Sequence, residues 1–372
     1  MTLREKIEQE IRDCGPLPFS RYMELCLYDS ELGYYVKNAA QFGKAGDFYT
    51  SSDVHAVFGR LLARQFEEMW RMLGSPAQLE ILELGPGRGL FAQDVLDWSQ
   101  KKFPEFFEAL HYSLLEASPE LRARLQKALS RHAASGKARI IQATRALGPD
   151  APLILFANEF FDALPVEILS TQGELRVDAC AGRLLETWVT PSAEALEFLD
   201  RYGVHPEGRE RIEASLAAQR YMSHAAALIP RGFFIVIDYA YTREEQLAGR
   251  HRGTLMTYRQ HSASANPYEA PGEQDITAHV NFTALADAAE RAGMSVHRLL
   301  TQSQFLMGIG ERNQFADAFE DCQLPQERAK VALQLKHLVT PAGMGESFHV
   351  LVATKGVDPA AVEKLGGLSF GR

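Results

Sequence analysis

Two stretches of this chain carry residue types and spacings that could do chemistry. The first is Glu83-Leu84-Gly85-Pro86-Gly87-Arg88-Gly89, between an apolar run that begins at Leu79 and a helical pattern that begins at Leu90. Glycine lacks a Cβ, so the main chain can turn sharply there and a ligand can come close. Strand, Gly-rich turn and helix in that order is how α/β proteins hold nucleotides at the carboxyl end of a strand. The spacing is not that of a dinucleotide site: G-x-G-x-x-G would need glycine where this chain has Leu90, and the third glycine is Gly89. Glu83 adds a carboxylate that would repel a pyrophosphate and suit a cationic ligand. Glu116 ends the next apolar run, where an acid can accept hydrogen bonds from both hydroxyls of a ribose. The second stretch is Asn158-Glu159-Phe160-Phe161-Asp162-Ala163-Leu164-Pro165. An amide, two carboxylates and two aromatic rings make a cation-holding or proton-accepting site. His279, with Asp275 close before it, could take a proton; a structural histidine satisfied by its neighbours fits the same pattern.

The elements that must position these residues alternate. Strands are expected at 79–84, 111–116, 138–142, 153–157 and 233–239, with helices between them, which argues a mostly parallel sheet covered on both faces. The amino terminus reads as a helix over 3–11, with Thr2 and Glu5 as a capping box, and a second helix over 21–28 capped by Ser20. Residues 42–53 have neither helical nor strand period and contain Gly46, Asp47, Phe48, Thr50 and Ser51. A plain linker and a cofactor lid are both compatible with that composition. The helix over 54–73 follows. Beyond Pro165 the runs 166–170, 175–179 and 184–189 read as short antiparallel strands, and 193–201 and 207–228 as helices. The expected organisation is therefore an N-terminal helical segment and lid over 1–75, a core over 76–164 and 229–356, an inserted α+β cap over 165–228, and a weakly held tail over 357–372. The polar, turn-rich stretch 240–280 is long enough to be functional or mobile. Closing strands are expected at 294–300 and 347–354.

Of the 372 residues, 46% are hydrophobic and 23% charged, ordinary values for a globular chain. The net charge of −9 and the lack of a basic run disfavour nonspecific binding to nucleic acid. The four cysteines form no C-x-x-C, and no H-E-x-x-H occurs, so no metal site is expected. No apolar run reaches the ~18 residues a membrane span needs. The acid-rich, amphipathic start is unlike a secretion signal or a transit peptide, so a cytoplasmic location is expected.

An acid followed by G-x-G-x-G resembles motif I of class I methyltransferases. Further blocks extend the likeness: Arg21-Tyr22-Met23-Glu24, Gly33-Tyr34-Tyr35, Gly46-Asp47-Phe48-Tyr49-Thr50-Ser51, the Asn158–Pro165 stretch, Asp238-Tyr239, Asp275-Ile276-Thr277-Ala278-His279-Val280-Asn281-Phe282 and Met344-Gly345-Glu346-Ser347-Phe348. Together they resemble the MidA family of S-adenosylmethionine-dependent methyltransferases over nearly the whole chain. Two positions depart from the family pattern as we expect it: Ser52-Asp53 in place of Pro-Glu, and Ala240 in place of glycine after Asp238-Tyr239.

The resemblance implies a class I methyltransferase-like doubly wound α/β sheet with an antiparallel last strand. It implies S-adenosyl-L-methionine as cofactor, bound by Gly46, Asp47, Phe48, Thr50, Ser51, Glu83, Gly85, Pro86, Gly87, Gly89 and Glu116. Asn158, Glu159, Asp162 and His279 are the expected catalytic residues. Mitochondrial members of the family are protein arginine methyltransferases acting on a complex I subunit. A protein substrate follows from that, one resembling a respiratory complex I-type subunit. A cofactor-binding assembly factor without turnover is the alternative, and a dinucleotide-dependent oxidoreductase is argued against by Glu83 and Leu90. The sequence names neither the substrate nor the oligomeric state.

Overall fold

The computed structural model describes residues 1–37, 56–144, 151–259 and 262–371. The expected lid, with Gly46, Asp47, Phe48, Thr50 and Ser51, lies outside the described residues. The chain divides into two compact units.

One unit comprises Tyr49–Glu159, His224–Tyr239 and Ala289–Arg372. Its sheet contains β1 (Leu79–Leu84), β2 (Leu110–Leu115), β3 (Ala138–Ile141), β4 (Leu153–Asn158), β5 (Gly232–Tyr241) and β6 (Phe348–Lys355). Their spatial order is β3-β2-β1-β4-β5-β6. Every pair is parallel except β5 with β6, which run antiparallel from Gly232 opposite Lys355 to Tyr239 opposite Phe348. This is the expected doubly wound sheet with an antiparallel last strand. The strands form because β4 and β5 are nearly continuous apolar runs, as a sheet buried on both faces requires, and β1, despite Glu80 and Glu83, is buried at five of its six residues. The chain reverses its order of addition between β1 and β4, and the crevice beyond the carboxyl ends of strands at such a reversal is where open α/β sheets bind ligands.

Helices Ala56–Met72 and Leu90–Lys102 belong to the same unit. They approach so closely at Gly59 that a Cβ there would lie 2.5 Å from the Cβ of Asp94. Phe91, one residue into the second helix, stacks on Phe156 of β4 with ring centroids 4.5 Å apart, and Phe66 meets both rings edge-on. This aromatic contact fixes the start of the helix, and so the glycine turn before it, against the middle of the sheet. The tail corrects an expectation. Val362, Leu365 and Leu368 are buried, Gly366 N donates to Glu68 Oε2 at 2.7 Å, and Gly367 N to Gln65 Oε1 at 2.7 Å. Adjacent glycines let the main chain come this close, and the apolar residues around them anchor it.

The other unit comprises Met1–Phe48, Phe160–Ser223 and Ala240–Ala288. The helix Leu3–Cys14 carries the expected Thr2–Glu5 capping box. The next helix is Phe19–Tyr28, and Ser20 is inside it: the Ser20 hydroxyl donates to Glu167 Oε1, at 2.5 Å, rather than capping. Glu167–Ser170, Gly173–Cys180 and Arg183–Val189 form the expected antiparallel strands. Two departures tie the amino terminus to them. Leu17 and Pro18 pair with Val177 and Arg176, and Ile212–Ala214, expected as helix, is a strand against Glu167–Leu169. Leu3, Ile7, Phe19 and Tyr22 then share a core with Val166, Ile168, Leu175 and Val177. The first two helices and residues 165–223 thus fall in one unit, while residues 224–228 and the helix Ala56–Met72 fall in the other. The stretch 240–280 also holds more order than expected. Met256–Arg259 pairs with Ser262–Ser264 and with Asp275–Thr277, which buries Thr257 and Ile276.

Candidate functional site

The glycine turn leaves β1 with Gly85, Gly87 and Gly89 all at positive φ, 60°, 52° and 76°. Side chains with a Cβ rarely adopt that region, which is why three glycines are needed. Their surroundings differ. A Cβ on Gly89, the residue that opens helix Leu90–Lys102, would lie 2.6 Å from Leu125 Cδ2, so this glycine serves close packing. Among the described residues, a Cβ on Gly87 would meet nothing within 4 Å, which leaves room for a ligand beside its main chain.

Glu83 lies two residues before the turn and is buried. Its Oε2 accepts from the Tyr112 hydroxyl at 2.9 Å. Burial pushes the carboxyl up to about 8, and the Tyr112 hydrogen bond only partly opposes this. A cation beside it would restore the charge. Glu116, just past β2, is also buried and raised by desolvation; its Oε1 accepts from Ser118 N at 2.8 Å, which holds it in a turn of defined shape. Asn158 ends β4. The β1 register, with Leu84 opposite Ala157, brings it level with Gly85, and on the other side it faces Ile237 of β5. Asn158 Nδ2 donates to Glu159 Oε1 at 3.0 Å, while its Oδ1 is buried without a hydrogen-bond partner among the described residues. Glu159 has φ 51°, and its N–H donates to Ile237 O at 2.9 Å. A glutamate in the left-handed region is uncommon, and such residues cluster at functional sites. The turn, Glu83, Glu116, Asn158 and Glu159 therefore all stand at the carboxyl ends of parallel strands, on one edge of one sheet.

The remaining predicted residues belong to the other unit. Asp162 and Asp275 are both buried. Asp275 Oδ1 accepts from the Tyr35 hydroxyl and from Ile276 N, each at 2.9 Å, and Asp162 O accepts from Ala278 N at 3.0 Å. Burial and the charges of both acids push the Tyr35 and Tyr258 phenols up. Tyr28 packs on Tyr35 with centroids 5.5 Å apart and donates to Ala163 O at 2.9 Å. His279 Nδ1 lies 3.2 Å from Nδ1 of His251, which stacks on Tyr241 at 5.5 Å and 11°. Burial holds His251 below the ordinary histidine value, so it favours the neutral ring. His251 is thus a partner of the His279 ring. Sequence reasoning missed Tyr112, Tyr35, Tyr258 and His251. Only Tyr112 had a signal within one element pair, as the diagonal neighbour of Glu83 once β1 and β2 are adjacent.

The family model described as "Putative S-adenosyl-L-methionine-dependent methyltransferase" matches residues 61–300. The chain belongs to the MidA family of S-adenosylmethionine-dependent methyltransferases. A COG1565 superfamily member from Burkholderia thailandensis, solved bound to S-adenosyl-homocysteine, is 29% identical, with a TM-score of 0.83 over 97% of this chain and 94% of its own. The Drosophila melanogaster protein named protein arginine methyltransferase NDUFAF7 homolog, mitochondrial, is 28% identical over 99% of this chain and 88% of its own length. The Danio rerio protein arginine methyltransferase NDUFAF7, mitochondrial, is 29% identical over 93% and 85%. The cofactor of the family is S-adenosyl-L-methionine, which when bound supplies a methyl group on a positively charged sulfur. The residues described fit such a cation: an open glycine turn and a buried carboxyl, Glu83, that gains its charge beside one.

One expectation is overturned. The curated relatives are mitochondrial by name, so the cytoplasmic location does not stand. The argument for it rested on a missing targeting signal, and a missing signal is weak ground. Among the described residues no helix is long and apolar enough to cross a membrane.

Proposed function

We propose that this methyltransferase acts on an arginine side chain of a protein. The observation that carries the reading is the near full-length likeness to relatives named protein arginine methyltransferase, joined to carboxylates at and just beyond the tip of β4. A guanidinium is a poor nucleophile because its lone pairs are delocalised and its pKa is ~12.5 or higher. A site for it needs carboxylates that bind the planar fork and draw charge away from the attacking nitrogen. Glu159 and, three residues on, Asp162 supply them, and Asn158 stands beside Glu159. On the cofactor side we assign Glu83, the turn Gly85, Pro86, Gly87 and Gly89, and Glu116 at the ribose. His279, paired with His251, is the proposed proton acceptor. A respiratory complex I-type subunit is the protein target that the family likeness suggests. The test is a screen of lysate from cells lacking the gene with radiolabelled S-adenosylmethionine, followed by mass spectrometry of the labelled band. Methylarginine is expected. A labelled lysine or small molecule would overturn the arginine reading, and binding of the cofactor with no labelled protein would favour a factor without turnover.

A further inference from the structure

The orphaned atom at the tip of β4 says more about the acceptor. Glu159 Oε1 can only accept when ionised, so the Asn158 group that meets it at 3.0 Å is the amide NH2. That fixes the amide orientation and leaves Oδ1 as the free end. Among the described residues, Oδ1 is buried and has no hydrogen-bond partner. A buried acceptor without a donor is unfavourable, and native proteins keep few of them. This one stands level with Gly85 across the strand reversal, where an α/β sheet of this order receives its ligands.

We propose that Asn158 Oδ1 accepts an N–H of the substrate nitrogen that becomes methylated, so that the acceptor class is a nitrogen bearing at least one hydrogen. This rests on the methyl-transfer reading above, and it adds an atom and a role to it. An amide oxygen is too weak a base to take the proton, so it holds the N–H while the nitrogen lone pair is turned toward the methyl carbon. The lone pair forms the new N–C bond, the C–S electrons return to sulfur, and the nitrogen then gives its proton to the acceptor proposed above. Glu159, in its left-handed backbone conformation, is the positioning residue that keeps the amide turned this way.

The test uses the full chain in three forms: wild type, Asn158→Ala and Asn158→Asp. Each is measured for S-adenosyl-homocysteine binding by calorimetry and for label transfer into lysate from cells lacking the gene. Asn158→Ala should bind within about threefold of wild type yet transfer at least about 100-fold more slowly, on the scale of a lost transition-state contact. Asn158→Asp should recover as pH falls, because a protonated carboxyl again offers a carbonyl oxygen to the substrate and a donor to Glu159; the alanine variant should show no such recovery. Binding lost more than tenfold in Asn158→Ala would place Oδ1 against the cofactor and overturn the inference. Equal transfer by all three proteins would overturn it alone, whereas a wild-type lane without label would sink the methyl-transfer reading and this inference with it. Label on a nitrogen other than arginine would overturn only the arginine assignment and support the N–H acceptor.

Discussion

The two units treat their acids differently. In the sheet unit, Glu83 and Glu116 sit at the ends of adjacent parallel strands, each tied to a near neighbour, a tyrosine hydroxyl in one case and a turn amide in the other. In the other unit, Asp162 and Asp275 lie far apart in sequence and act on shared tyrosines, Tyr35 and Tyr258, drawn from two further segments. The first arrangement is made by strand geometry, and a ligand can complete it at the open turn. The second is made by packing of distant loops. Substitutions at Glu83, Gly87 and Glu116 should therefore change cofactor binding, and those in the acid–tyrosine cluster transfer or folding.

The largest effects should come from the two carboxylates proposed for the guanidinium. Glu159→Gln and Asp162→Asn should each keep cofactor affinity and lose transfer by about 100-fold or more, the range for removal of a positioned charged group. Transfer at the wild-type rate by both would break the arginine reading. A loss confined to Glu159→Gln would assign the chemistry to the sheet unit alone.

The glycine turn gives the next contrast, inside a single loop. Gly87→Val carries only the backbone cost of φ 52°, about 1–2 kcal/mol, with no contact within 4 Å among the described residues, so the protein should still fold and bind cofactor at least about 100-fold more weakly. Gly89→Val drives its side chain against Leu125 from a left-handed backbone. It should destabilise the fold by about 2–4 kcal/mol, from overpacking and backbone strain together. Thermal melts and calorimetry on both variants read the difference. Unchanged affinity in a folded Gly87→Val protein would remove the turn from the cofactor site.

Glu83 offers a smaller effect that depends on pH. Its folded value, about 8, lies above the ordinary glutamate value of 4.5. The folded chain therefore holds a proton that the unfolded chain has already lost. The carboxyl takes stability away as pH rises from about 4.5 to about 8, and no further above that. A cation that needs the ionised form must displace the proton, so affinity for the cofactor should rise by up to about tenfold per unit between pH 6 and 8. Glu83→Gln should flatten that rise and should melt higher than wild type at alkaline pH. A flat wild-type profile would mean that Glu83 does not meet the positive charge.

What could be read from the sequence follows the same division. Strands β1, β2 and β4 are short apolar runs ending in acids or glycines, so their ends, and Glu83, Gly87, Glu116 and Asn158 on them, were legible from local pattern. The bridge from Leu17 to Val177 and the strand Ile212–Ala214 were not, because two or three residues carry no period and gain their conformation from the partner strand. The tail was misjudged because its anchoring depends on Gln65 and Glu68, nearly 300 residues earlier in the chain. The tyrosines around Asp162 and Asp275 were illegible for the same reason: nothing near Tyr35 in sequence announces Asp275.

Tyr35 gives the mildest of these tests. Its hydroxyl donates to Asp275 Oδ1 at 2.9 Å, and the same oxygen accepts from Ile276 N. Tyr35→Phe leaves ring packing against Tyr28 and Tyr34 intact and removes only the hydroxyl. Asp275 keeps its main-chain donor, so the cost should fall at the low end for a hydrogen bond to a charged group, about 1.5 kcal/mol. It should be visible as a shift in a denaturant midpoint at constant slope. Cofactor affinity, governed by strand ends in the other unit, should not change. If Tyr35→Phe instead weakens S-adenosyl-homocysteine binding by tenfold while stability holds, the acid–tyrosine cluster belongs to the cofactor site, and its contrast with the strand-end acids fails.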